Sequence, residues 1–236
     1  MKAIKWITLV VLTGVSVMAA AQSRPMNLPR YDQQKFHFGF TLGFNTMDFR
    51  VTPVEKSQQV SDSIMLIEPV SEPGFNIGIV SSMKLHEYLE LRFVPTLSFG
   101  DRRLRYKLRY NDSTLIADEK NVESTYIDFP IFVKYKSKRL NNTRAYVTAG
   151  ARYSLDLASQ SKKENTSDDI QIKLNPHDAL VELGVGFDFY LTYFKFGTEI
   201  KMAYGVLNLL KEEDNLYSRG VDRLNSKMFW LTFTFE

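Results

Sequence analysis

Residues 36 to 44 read Phe-His-Phe-Gly-Phe-Thr-Leu-Gly-Phe, with a large apolar side chain at every second position. A β-strand turns successive side chains to opposite faces. Phe36, Phe38, Phe40, Leu42 and Phe44 therefore share one face, and His37, Gly39, Thr41 and Gly43 the other. A helix cannot sort residues in this way. Such a stripe has to face either a protein core or lipid, and the same period returns in seven further segments.

In 74–83, Phe75, Ile77 and Ile79 alternate with Asn76 and Gly78. In 88–100, Leu89, Leu91, Phe93, Leu97 and Phe99 oppose Glu90, Arg92, Thr96, Ser98 and Gly100. The fourth segment sets Ile127, Phe129, Ile131, Val133 and Tyr135 against Tyr126, Asp128, Pro130, Phe132 and Lys134. The fifth sets Ala145, Val147, Ala149, Ala151 and Tyr153 against Arg144, Tyr146, Thr148, Gly150 and Arg152. In the sixth, Ala179, Val181, Leu183, Val185, Phe187 and Phe189 face away from Glu182, Gly184, Gly186 and Asp188. The seventh opposes Phe194, Phe196, Ile200, Met202 and Tyr204 to Lys195, Gly197, Glu199 and Lys201. The last opposes Phe229, Leu231, Phe233 and Phe235 to Trp230, Thr232 and Thr234.

The connections alternate in length. Those over 45–73, 101–121, 158–176 and 205–226 are long, whereas those near 84–87, 137–142 and 191–192 are short. Four long loops at one end and three tight turns at the other are the layout of an outer-membrane barrel, with the turns and both chain ends periplasmic. An even strand count also closes an up-and-down meander without a free edge.

The beginning of the chain fits export. Lys2 and Lys5 precede an apolar run over 7–18 and the small residues Ala19, Ala20 and Ala21. The run is too short for a spanning helix and predicts a signal peptide over 1–21, cleaved before Gln22. A short periplasmic tail over 22–34 and a barrel over 35–236 complete the expected organisation. There is no cysteine, which excludes a lipoprotein anchor, disulfides and thiolate metal sites. Lys2 and Lys5 are among the 30 basic residues, so the mature chain has one more base than its 27 acids. The pI of 8.9 is therefore no sign of nucleic-acid affinity. A mean hydropathy of −0.22 is compatible with half-apolar spanning strands.

Eight of the twelve glycines (Gly39, Gly43, Gly78, Gly100, Gly150, Gly184, Gly186 and Gly197) lie on the polar stripe. A narrow eight-stranded barrel has little interior room, so the glycine-bearing face is expected to be the lumen. The same face carries the acids Glu90, Asp128, Glu182 and Glu199 and the bases Arg92, Lys134, Arg152 and Lys201. Unpaired charges in that space are costly, and four against four predicts a neutralised lumen network that fills the barrel. No cofactor or metal site is expected, because His37, His86 and His177 are scattered without ligand spacing.

Pro130, in mid-strand, removes a ladder donor and marks a bulge or irregular pairing. The alternation of Arg103, Arg105, Lys107 and Arg109 with Leu104, Tyr106, Leu108 and Tyr110 reads as a strand extension above the membrane. Alternatively, it could hold lipopolysaccharide phosphates or an acidic partner.

Around Pro130, Tyr126-Ile127-Asp128-Phe129-Pro130-Ile131-Phe132-Val133-Lys134-Tyr135 resembles a recurrent strand motif of small outer-membrane barrels. Asn27-Leu28-Pro29-Arg30-Tyr31-Asp32 followed by Phe36-His37-Phe38-Gly39-Phe40 resembles the PorT family. So do Pro73-Gly74-Phe75-Asn76-Ile77-Gly78-Ile79-Val80, Glu87-Tyr88-Leu89-Glu90-Leu91-Arg92-Phe93 and Leu97-Ser98-Phe99-Gly100. The resemblance implies a non-catalytic outer-membrane component required by type IX secretion, which exports proteases, adhesins and gliding proteins. It brings no catalytic residue with it.

The expected fold is thus all-β, an eight-stranded antiparallel up-and-down transmembrane barrel in the outer membrane. Its expected partners are outer-membrane lipid, lipopolysaccharide and other type IX secretion proteins, with neither nucleic acid nor a small-molecule substrate. Candidate contact surfaces are residues 27–34 and the charged runs Lys162-Lys163-Glu164 and Lys211-Glu212-Glu213-Asp214. Two alternatives stand beside this. One is a barrel-embedded lipid acyltransferase or protease using His37 as a base. The other is a soluble, lipocalin-like periplasmic binder, which has the same period but turns its apolar stripe inward.

Overall fold

The computed structural model describes residues 25–53, 64–110, 114–157, 174–211 and 221–236. The expected signal peptide, residues 162–164 and residues 212–214 lie outside them. Among the described residues nine antiparallel strands form one sheet: β1 (Phe36–Pro53), β2 (Ile64–Lys84), β3 (Leu89–Phe93), β4 (Thr96–Tyr110) and β5 (Thr114–Lys136) are followed by β6 (Thr143–Asp156), β7 (His177–Tyr190), β8 (Lys195–Gly205) and β9 (Val221–Phe235). β1 pairs with β9 on one side and with β2 on the other, and β3 and β4 together fill one position between β2 and β5. The sheet therefore closes as a ring of eight, and ring closure satisfies the backbone groups that lipid could not.

The stave formed by β3 and β4 is divided by a local cause. Pro95 lacks an N–H, and the facing strand has its own proline at Pro130. Phe93 pairs with Ile131, and Thr96 with Asp128, so both strands advance by the same amount across the gap. On the other edge of β5 the register with β6 runs unbroken through Pro130 and Arg152. Of the bulge or irregular pairing expected at Pro130, the structure has the second, an interruption without slip. The gap is held by Val94 N–H donating to the Pro130 carbonyl at 3.3 Å and Ile79 N–H donating to that of Pro95 at 3.0 Å. Register shifts instead occur between Ser71 and Phe75 and between Thr52 and Pro53.

The apolar stripe faces outward. Phe38 is 69% exposed, Ile79 67% and Leu183 63%, while the side chains between them are buried in the lumen. A lipocalin-like binder requires the opposite, so that alternative fails on the orientation of the stripe.

Several expected loops are largely strand. β1 runs on to Pro53, β2 begins at Ile64, and β4 and β5 carry the hairpin up to Tyr110 and Thr114. A tilted strand needs only about 9–11 residues to cross a bilayer, so the 21 residues of β2 and 23 of β5 project well beyond it. The run 103–110 lies on this extension.

Along the extension the polarity of the two faces changes over. On β1 the outward positions pass from Phe44 to Asp48 and Arg50, while the inward ones become Met47 and Phe49. On β9 the outward positions pass from Phe229 to Lys227, and the inward ones include Met228 and Leu224. Outer-membrane barrels carry an apolar outer band of limited height, and this inversion locates its extracellular edge.

Candidate functional site: a lumen filled by ion pairs

All eight of the charged residues expected inside the barrel are buried. Arg152, on β6, is the hub of the middle tier. Its Nη1 lies 2.9 Å from Asp128 Oδ2 and its Nη2 2.6 Å from Glu182 Oε2. Lys201 Nζ approaches the other Glu182 oxygen at 3.9 Å. Asp128 also accepts from Ser98 at 2.7 Å and Ser154 at 2.5 Å, and the Arg152 guanidinium stacks 4.0 Å above the Trp230 ring. Glu199 accepts from Thr148 at 2.6 Å.

Toward the end with the short turns, the pairing does not follow the strand register. Glu90 and Lys134 face each other in register, yet Lys134 reaches past to both Asp188 oxygens at 2.8 and 2.7 Å, and Glu90 pairs with Lys136. Arg92 pairs with Glu236, which Lys195 also contacts. Asp188, Lys136, Lys195 and Glu236 were absent from the expected network. All four lie on the inward parity of their strands, Lys136 two residues after Lys134 and Glu236 two after Thr234. With Arg102, Arg144, Asp156 and Asp178, the described lumen holds eight cations and eight acids. Their mutual neutralisation offsets the several kcal/mol that each isolated buried ion would cost.

The amino-terminal tail closes the same end. Residues Tyr31–Gln33 form a single 3-10 turn across the mouth. Asp32 receives both ends of the Arg144 guanidinium, at 3.0 and 3.3 Å, and the Tyr190 hydroxyl at 3.0 Å. Asn27 donates through Nδ2 to the Tyr190 carbonyl at 2.9 Å. Tyr31 donates to Glu236 Oε2 at 2.7 Å. Burial above all holds its hydroxyl protonated far beyond the ordinary tyrosine range; Arg92 opposes the shift and Glu90 adds to it. The tail expected as a contact surface thus spends Asn27, Tyr31 and Asp32 on its own barrel.

His37 belongs to this plug. Its ring stacks on Tyr31 with centroids 4.1 Å apart, and Nε2 lies 2.8 Å from the Tyr31 carbonyl, which can only accept. Nε2 therefore carries the hydrogen. Nδ1 is buried without a hydrogen-bond partner among the described residues, and no hydroxyl nucleophile or orienting carboxylate is bonded to the ring there. A hydrolytic triad needs both.

The opposite end is closed by apolar packing. Met47, Tyr126, Leu180, Ala203, Met228 and Trp230 form one layer, and Phe49, Leu174, Leu209, Leu210, Val221 and Leu224 form another. Asn208 fastens the segment after β8 across this end, its Oδ1 accepting from the N–H groups of Leu210 at 3.1 Å and Leu224 at 3.0 Å. Arg102 threads between the layers, stacked 4.2 Å from the Phe49 ring and bonded to Ser124 and Tyr126. None of Met47, Phe49 or Arg102 was expected inside, because the first and third loops were placed there.

Comparison with known proteins agrees with this architecture. OprG, an outer-membrane protein of Pseudomonas aeruginosa, superimposes with a TM-score of 0.50 at 12% identity, over 85% of this chain and 95% of OprG. Neisserial surface protein A aligns over 85% of this chain and 98% of its own, at 13% identity and a TM-score of 0.43. At such identities the OprG match speaks for fold alone. No curated protein matches the sequence. The family model for the outer membrane protein beta-barrel domain matches residues 20–211. The chain belongs to that family, and it is a β-barrel of the outer membrane.

Proposed function

We propose that this barrel is a non-catalytic accessory component of type IX secretion, acting through its rims on other proteins of the outer membrane. The observation that supports an accessory role, as opposed to a conduit, is the filled lumen: among the described residues eight cations and eight acids, a tail across one mouth and two apolar layers toward the other. A cross-section so occupied offers no path for a folded or extended cargo chain. The secretion assignment rests on the sequence resemblance set out above, on Asn27-Leu28-Pro29-Arg30-Tyr31-Asp32 and the ordered strand motifs.

Deletion of the gene followed by analysis of the secreted proteome tests it. Loss of type IX cargo from the medium, restored by the wild-type gene, is expected; unaltered export removes the assignment and leaves the barrel. A His37→Ala gene that restores export and leaves lipid composition unchanged is the expected result against the enzymatic alternative.

A further inference from the structure

At the changeover of polarity, the outer wall carries a groove of about 490 Å³, lined by Asp48, Phe49, Arg50, Tyr204 and Lys227. The register explains why these residues meet. Lys227 on β9 is paired with Asp48 on β1 and with Tyr204 on β8, and Arg50 lies two residues further out on β1. Arg50 and Lys227 are exposed on the outward face.

Their state contrasts with that of the lumen cations, each of which has an acidic partner. Among the described residues neither the Arg50 nor the Lys227 side chain makes an ion pair, a hydrogen bond or a ring contact, although Asp48 is adjacent. Asp48 instead turns Oδ1 to the N–H of Phe49 at 2.7 Å. Two cations against one acid leave the groove positive. Directly below it the wall is apolar and exposed, through Phe44, Ile200, Met202, Phe229 and Leu231.

We propose that this groove binds a phosphorylated glycolipid of the lipid A class in the outer leaflet. Its acyl chains lie on the apolar wall, Tyr204 sits at the interface, and its phosphates meet Arg50 and Lys227. The depth selects the ligand. Basic side chains just above a hydrocarbon layer recruit anionic headgroups, and a guanidinium matches phosphate through paired N–H donors. A small soluble anion gains nothing from the apolar platform, whereas a phosphorylated glycolipid satisfies both halves of the surface together.

The test uses the full-length barrel folded in a neutral detergent and titrated with bis-phosphorylated lipid A, with bound lipid read by native mass spectrometry. Arg50→Ala/Lys227→Ala is expected to weaken binding about tenfold, roughly what two exposed charge contacts are worth. Removing both phosphates from the lipid is expected to weaken wild-type binding to the level of the double variant. Asp48→Asn is expected to tighten binding. Equal affinity of wild type and double variant overturns the proposal, as does equal affinity for the dephosphorylated lipid. Displacement of the lipid by inorganic phosphate at equimolar concentration overturns the lipid assignment in favour of a free-anion site. A heat-dependent gel shift confirms that each variant remains a folded barrel.

Discussion

The Tyr31 hydroxyl, on the turn that crosses the mouth, donates a 2.7 Å hydrogen bond to the carboxylate of Glu236 on the far side of the sequence. Glu236 is also the ion-pair partner of Arg92 and Lys195, so the tail is fastened to the lumen network itself. The plug and the network are one polar structure.

Tyr31→Phe removes that bond while keeping the ring on His37. A hydrogen bond to a charged group is worth about 1.5–3 kcal/mol, and a loss in that range is expected for closure of the tail. Faster amide exchange over residues 27–34, with unchanged exchange in β5 to β8, checks it. Unaltered tail protection contradicts the assignment.

Arg152 neutralises two acids at once, so Arg152→Ala leaves Asp128 and Glu182 facing each other without their cation. Removing one member of a buried ion pair costs about 3–5 kcal/mol, and urea unfolding from lipid vesicles should show a loss of that size. Adding Asp128→Asn and Glu182→Gln to the same chain should recover part of it. No recovery of stability in the triple variant is the contrary result.

Gly186 measures how tightly the lumen is filled. A Cβ there would lie 2.5 Å from Tyr146 Cζ and 2.6 Å from its hydroxyl oxygen, with the Thr198 carbonyl also in the way. Gly186→Val is expected to destabilise the barrel by about 1–3 kcal/mol, the usual cost of overpacking. The same denaturation measurement reads it, and full stability of this variant points to open space inside.

Leu183 reports on the outer wall. It stands 63% exposed midway along the outward stripe of β7, and arginine at mid-bilayer depth on the lipid face costs about 2–4 kcal/mol. Leu183→Arg should lose that much in vesicles, while Lys227→Ala, above the apolar band, should lose little.

The strand period and its facing were legible because inside and outside differ sharply in polarity within the membrane. At Met47, Asp48, Phe49 and Arg50 the polarity inverts while the strand continues, so a reading that follows polarity ends the strand at Phe44 and begins a loop at Asn45. Lys136 and Glu236 keep the inward parity, each the next inward position after Lys134 and Thr234. Who pairs with whom was less accessible. Glu90 faces Lys134 in register but bonds Lys136, its diagonal neighbour on the same strand as Lys134. Lys134 reaches two strands over to Asp188, because side chains that long are not tied to the residue directly opposite. The tail has no period at all. Its place rests on single contacts from Asn27, Tyr31 and Asp32, which leave no repeating signature in sequence. The break at Pro95 was masked because the parity of Phe93 and Leu97 passes through it unchanged.

Planar-bilayer recording of the purified, folded chain tests the central claim of a lumen filled by its own side chains and closed by its own tail. Wild type is expected to add no steady conductance to the bare bilayer. A stable, ohmic open channel from the intact wild-type barrel contradicts it.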